Sequence, residues 1–379
     1  MILSLILAVT ATIAAGSDPF SAPGKGEVDR LIRAAQMGEA GADANIEKWL
    51  GSHAKATNAQ QRALYHRLCG DFSVHGDYAS GAAACSKAAA LGADDEQSAA
   101  NNRKLRNTPS IRAIGSARIV LTPNGLGSRD AVIKVNGTST PWLVDTGAQI
   151  AVVTQSLATE VGVRQLQGQI TVGTTTAPVQ GGLGVIDLMW IGDAALENVP
   201  VLVLPDAQLK IADLPQIRAI FGLPELVAFR RAEWLDKGKT LALGEEAEKV
   251  PAGSLQMYWH KEGIGIPVST ELGTRGAHLD TGANDSYLRA PAHALLGPAV
   301  EATAEEHKGR VGGAGGVVET KEKVYPSLDL TVAGVPLNFK KISMNEQDQE
   351  GVARLGDDVI QQLSVLVLDF ERMRIEARK

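Results

Sequence analysis

Two aspartates in this chain stand in matching surroundings. Asp145 opens Asp145-Thr146-Gly147-Ala148 after Trp142-Leu143-Val144, and Asp280 opens Asp280-Thr281-Gly282-Ala283 after Ala277-His278-Leu279. One Asp-Thr-Gly is commonplace; two, each extended by Ala, suggest carboxylates delivered to one place by two related units. Two carboxyls about 3 Å apart cannot both ionise, so they share a proton and can act on water together as base and acid. That chemistry hydrolyses an amide without metal or covalent intermediate. The titration belongs to the pair rather than to either residue.

The neighbouring residue types suit the task. Val144 and Leu279 keep each Asp at the end of an apolar strand, and Gly147 and Gly282 permit a tight turn. Thr146 and Thr281 can hydrogen-bond backbone groups locally and across a two-fold interface. Such rigidity matters because a displacement of about 1 Å can cost on the order of 10²-fold in rate.

The elements that must position these residues repeat as well. After Asn107-Thr108-Pro109, short β-branched runs such as Ala131-Val132-Ile133-Lys134-Val135 alternate with turns such as Asn136-Gly137, and this continues to the C-terminus. Asp145 precedes Gly222 of Ala219-Ile220-Phe221-Gly222 by 77 residues (222 − 145), and Asp280 precedes Gly356 of Ala353-Arg354-Leu355-Gly356 by 76 (356 − 280). An apolar stretch follows each Gly, and each half then ends on Leu-Asp and a final strand: Leu235-Asp236 before Thr240–Leu243, and Leu368-Asp369 before Met373–Glu376. Ordered landmarks at near-equal offsets mark an internal duplication, with Lys249–Gly253 as the linker. The expected units are 112–248 and 253–379.

Asp-Thr-Gly-Ala followed by an apolar-apolar-Gly segment, present twice and in order, resembles the retropepsin-like aspartic proteases of the bacterial kind with two tandem domains. The resemblance covers about 265 residues from position 112 onward. It implies a mainly β protein with two β-barrel-like lobes about a pseudo-two-fold axis, Asp145 and Asp280 facing each other as catalytic residues. It further implies that Thr146, Gly147, Ala148, Thr281, Gly282, Ala283, Gly222 and Gly356 support the active-site loops, and that peptide or protein is the substrate. Two departures stand out. Arg354 occupies a position where an apolar residue is usual, and is expected either to be exposed beside the motif or to disturb the loop. No Tyr marks a pepsin-type flap; the candidate flaps are instead 173–182, with Thr174, Thr175 and Gly181, and 309–316, with Gly312, Gly313 and Gly315. Glycine-rich hairpins there suit a mobile lid. Ala148 and Ala283 replace the Ser or Thr common in pepsin-type sites, which removes a hydroxyl that favours the charged carboxylate, so activity is expected at weakly acidic to neutral pH.

The rest of the chain bounds the reading. A net charge of −6 offers no basic block to neutralise phosphates, which argues against a nucleic-acid partner. The seven histidines are scattered, and the two cysteines form no Cys-x-x-Cys grouping, so neither metal nor cofactor is expected. Residues 1–16 begin with an apolar run, Met1-Ile2-Leu3-Ser4-Leu5-Ile6-Leu7-Ala8-Val9, and end in small residues, as a cleavable export signal does. Export to the periplasm or exterior is the expectation, with a membrane anchor if the segment stays uncleaved. Residues 26–106 read as helical and carry one tetratricopeptide-like unit around a turn at Gly76-Asp77. This segment is either a cap on the protein or a module that binds a protein partner. Cys69 and Cys85 could bridge two of its helices in an oxidising compartment, or stand as two buried thiols. With both Asp residues in one chain, a monomer suffices. Three functions follow: an aspartic endopeptidase, a catalytically weak protease fold that binds peptides, or a scaffold recruiting through its helices.

Overall fold

A computed structural model of the chain describes residues 2–3, 7–8, 18–20, 24, 26–174, 178–210, 215–260, 263–313 and 316–379. The N-terminal segment forms α1 (Glu27–Gln36), α2 (Ala42–Ser52), α3 (Asn58–Val74), α4 (Tyr78–Ala90) and α5 (Glu96–Leu105). Local chemistry sets the boundaries. Thr57 accepts the Gln60 N–H and the Gln60 side chain accepts the Thr57 N–H, a capping box that starts α3. Asp77 accepts the Ser80 N–H to start α4. The turn at Gly76-Asp77 separates these two helices, and a disulfide joins Cys69 to Cys85 across them. Ile46, Trp49, Leu64 and Leu68 form the segment's own apolar core.

Nine strands recur at matching places in each following unit. In the first they are β1 (Arg129–Val135), β2 (Thr138–Val144), β3 (Ala151–Thr154), β4 (Arg164–Thr174), β5 (Val179–Ile191), β6 (Ala194–Leu204), β7 (Ala219–Phe221), β8 (Arg231–Leu235) and β9 (Thr240–Leu243). In the second they are β10 (Gly263–Thr270), β11 (Gly273–Leu279), β12 (Tyr287–Arg289), β13 (Glu305–Gly313), β14 (Gly316–Val332), β15 (Val335–Asn345), β16 (Ala353–Leu355), β17 (Val365–Asp369) and β18 (Arg374–Arg378). The period-two pattern is plain in β1, where Ala131, Ile133 and Val135 are buried while Val132 and Lys134 face out. Asn136 and Gly137 both adopt positive φ, 47° and 88°, and turn β1 into β2 as an Asn-Gly hairpin.

The strand order is β4-β5-β6-β3-β7-β2-β1 in the first lobe and β13-β14-β15-β12-β16-β11-β10 in the second, the same order element for element. In each lobe one further pairing, β5 with β1 and β14 with β10, closes the sheet on itself. The last two strands of each lobe join across the interface between the lobes. β8 pairs antiparallel with β17, Arg231 opposite Asp369 and Leu235 opposite Val365, and one six-stranded sheet results in the order Leu255–Gln256, β18, β17, β8, β9, Ala117–Val120. The reason is burial: Ala232, Trp234, Leu366 and Leu368 are apolar strand residues that each lobe alone would leave exposed, and across the interface they share one core.

The helical segment rests on both lobes. Lys104 Nζ donates to the Gln167 and Gln169 carbonyls of β4 at 3.0 and 3.2 Å, and Gln256 Nε2 donates to the Met37 carbonyl at 2.9 Å. Of residues 1–16, two short strands are described: Ile2–Leu3 pairs with β13 and Leu7–Ala8 with β4. The remainder of the expected export signal lies outside the described residues. No helix among them is long and apolar enough to cross a membrane.

Candidate active site

β2 and β11 end at Asp145 and Asp280, and each Asp is held by the same set of backbone bonds. The Asp145 N–H donates to the Phe221 carbonyl at 2.9 Å and the Asp280 N–H to that of Leu355 at 2.8 Å. The turn that follows is fixed by Leu223 N–H to the Ala148 carbonyl and by Asp357 N–H to the Ala283 carbonyl, both 2.8 Å. Gly222 and Gly356 lie where the loop crosses closest; a Cβ there would sit 2.6 Å from the Ala148 carbonyl oxygen and 2.8 Å from that of Ala283. Ala148 and Ala283 are fully buried beneath the loops.

The two loops interlock through the threonines. Thr146 Oγ1 donates to the Leu279 carbonyl at 2.7 Å and accepts the Thr281 N–H at 3.0 Å. Reciprocally, Thr281 Oγ1 donates to the Val144 carbonyl at 3.0 Å and accepts the Thr146 N–H at 3.1 Å. A Cβ added at Gly147 would sit 2.6 Å from Asp280 Oδ1 and one at Gly282 2.5 Å from Asp145 Oδ2, so each carboxyl lies against the other's loop, and both side chains are inaccessible to solvent. Burial and then the neighbouring Asp280 charge push the Asp145 carboxyl well above the ordinary carboxylate range. The pair is thereby arranged to hold one proton between two acids.

The geometry corrects the expectation for Arg354. It is neither exposed nor disruptive: only 1% of its side chain is accessible, and its Nη1 lies 3.5 Å from Asp280 Oδ2. The loop survives because the cation meets a carboxylate, and its guanidinium also stacks 5.6 Å from the Tyr287 ring centre.

The candidate flaps fall on the β4–β5 and β13–β14 hairpins. Thr174 ends β4, Gly181 sits within β5 opposite Ile170, and Gly312 and Gly313 end β13. Thr175 and Gly315 lie outside the described residues.

Sequence reasoning missed several supports. Ser128 Oγ donates to the Gly282 carbonyl at 2.9 Å, and Arg129 Nε meets Asp357 Oδ1 at 3.1 Å, so the first lobe clasps the second lobe's loop from the start of β1. Glu225 Oε2 accepts the Gly222 N–H at 2.8 Å, while Gly356 N–H donates to Ser286 Oγ at 2.9 Å. Burial raises Glu225 to about 8. The spacing Gly222-Leu-Pro-Glu225 is a helix-start signal that could have flagged Glu225; Ser128 and Arg129 carry no such local mark.

Residues 131–224 match the family model described as aspartyl protease. No curated protein matches the chain. Among solved structures the chain is similar to an aspartic proteinase from Irpex lacteus, at 13% identity over 70% of this chain and 97% of that one, with a TM-score of 0.45. It is also similar to basic 7S globulin from soybean, at 12% over 70% and 95% with a TM-score of 0.47, and to conglutin gamma, a basic 7S globulin from lupine seeds, at 11% over 69% and 94% with 0.48. The matched segment spans the first Asp-Thr-Gly-Ala loop and its Gly222, and the duplicated strand order repeats that architecture around the second loop: the fold is that of an aspartic protease, mainly β in two lobes, with helices at its N-terminus.

Proposed function

We propose that the protein is an aspartic endopeptidase that hydrolyses peptide bonds with water activated between Asp145 and Asp280. One observation carries this reading: two buried carboxyls brought against each other by a reciprocal threonine lattice. A protein that only bound peptide would have no need for two acids sharing a proton at that point. Both acids come from one chain, so a monomer is sufficient, and the disulfide between α3 and α4 suits an exported protein in an oxidising compartment.

The pH window follows from the pair. The working form holds one proton. Burial and the Asp280 charge raise Asp145, so that proton is retained to higher pH than on an exposed Asp, and cleavage extends toward neutral pH. The test compares wild type with Asp145→Asn and Asp280→Asn on a peptide library across pH, with and without pepstatin. Loss of cleavage by on the order of 10²-fold or more in both variants supports the enzyme. Peptide binding without cleavage by wild type would instead favour the binding protein.

A further inference from the structure

The two lobes are duplicates in strand order yet differ in one buried layer directly beneath the carboxyls. In the first lobe Ile220 of β7 pairs with Leu143 of β2 and with Val152 of β3, three buried apolar residues. At the equivalent places in the second lobe Arg354 of β16 pairs with His278 of β11 and with Tyr287 of β12, also buried. Leu143 and His278 each precede their Asp by two residues, and Ile220 and Arg354 each precede their loop Gly by two. The exchange therefore places a cation beneath an otherwise matched pair, 3.5 Å from Asp280; its charge also reaches Asp145, where it lowers the carboxyl less than burial and Asp280 raise it.

The immediate contacts are uneven in the same direction. Asp280 Oδ1 accepts two backbone N–H groups, from Gly282 at 3.1 Å and Ala283 at 3.2 Å, and its Oδ2 faces Arg354 at 3.5 Å. Asp145 Oδ1 accepts one, from Gly147 at 2.8 Å. Donors and cations stabilise the charged carboxylate in preference to the acid. On the reading that the pair is catalytic, we infer that Arg354 is a positioning residue that keeps the negative charge on Asp280 and the shared proton on Asp145.

Roles in the reaction follow. As the water oxygen bonds to the carbonyl carbon, its proton passes to Asp280, and the carbonyl π pair moves to the oxygen, which takes the proton from Asp145. In the second half the C–N bond breaks as the nitrogen takes the proton from Asp280. The diol hydroxyl returns its proton to Asp145, the carbonyl reforms, and the starting charges are restored.

Other ionisable groups face this layer. His260 stacks on His278 with ring centres 5.2 Å apart. Arg289 of β12 pairs with Asp348, which also accepts from the Tyr287 hydroxyl. On the loop side Asp357 pairs with Arg129, and Asp358 is bonded to Ser286; Asp285 lies five residues beyond Asp280. The histidines are the neighbours that could imitate an effect of Arg354 on a pH profile, so His278→Leu is the control.

The experiment measures kcat and KM against pH on a cleaved peptide for wild type, Arg354→Ile, Arg354→Gln, Arg354→Lys and His278→Leu. Arg354→Ile installs the residue type of the first lobe. The acid limb of kcat/KM should move up by about one to two pH units in the Ile and Gln variants, as loss of a cation near a carboxylate requires. The Lys variant should restore most of the limb and His278→Leu should leave it in place. A lower kcat at every pH with an unmoved limb overturns the inference and leaves Arg354 a structural residue. In parallel, carboxyl-carbon NMR titration of the aspartates, assigned with the Asp145→Asn and Asp280→Asn variants, locates the proton without turnover. If wild type cleaves no peptide the peptidase reading falls, and this titration still decides the inference: charge on Asp280 supports it, a proton there refutes it. Should both neutral variants fail to fold, through-bond assignment of the two carboxyl carbons from the wild-type backbone takes their place.

Discussion

Replacing Thr146 with Val is the sharpest test of how the two lobes hold their carboxyls together. The change substitutes a methyl for the hydroxyl and leaves the volume nearly the same. It removes one hydrogen bond from the Leu279 carbonyl and one from the Thr281 N–H, both buried at the interface. Depriving a buried polar group of its partner costs about 1–3 kcal/mol, so the variant should lose about 2–6 kcal/mol. Thr281→Val removes the mirror-image pair of bonds and should cost as much. Because either change loosens the same contact, the double variant should cost less than the sum, with a coupling of about 0.5–3 kcal/mol. Urea unfolding of the four proteins measures the cycle, and kcat/KM measured alongside should fall on the order of 10²-fold in each single variant through misplacement of the carboxyls. Thr146→Ser keeps the hydroxyl and should stay close to wild type. A Thr146→Val protein within about 0.5 kcal/mol of wild type, with full activity, would refute the reasoning.

Four further outcomes are expected. In Gly282→Ala the new Cβ would fall 2.3 Å from Asp145 Cγ, so cleavage should be lost while circular dichroism still reports a folded protein. Glu225 is raised from 4.5 to about 8, so its contribution to stability is complete below pH 4.5 and drains away as pH climbs toward 8. Glu225→Gln keeps an acceptor for the Gly222 N–H and should gain about 3 kcal/mol on wild type between pH 4.5 and 7; parallel stability curves from thermal melts would count against this. Reducing the Cys69–Cys85 disulfide, which spans 16 residues, should cost about 3 kcal/mol locally, visible as faster amide exchange in α3 and α4 but not in β2 or β11. Arg129→Met leaves Asp357 without its cross-lobe cation and should lower both the melting temperature and kcat/KM.

Much of the fold was legible because duplication writes itself into spacing. Asp145 to Gly222 and Asp280 to Gly356 run to nearly the same length because each pair brackets the same five strands, β3 to β7 and β12 to β16. Asn136-Gly137 marked a hairpin because only residues tolerant of positive φ fit its turn. Ser128 and Arg129 stayed hidden for the opposite reason. Their partners lie across an interface, and a single Ser or Arg looks the same whether it meets solvent or a buried group.

By itself, then, the sequence determined that two Asp-Thr-Gly-Ala loops exist, that they are equivalent, and that strands flank each of them, because backbone conformation and periodic burial are local. Only the tertiary structure decided that the closing strands β8 and β17 pair with each other, and that Arg354 is buried against Asp280 rather than exposed or disruptive. The physical reason is that a charge's role depends on what it faces once water is excluded, and that is a property of chains brought together across 74 residues and two strands (354 − 280).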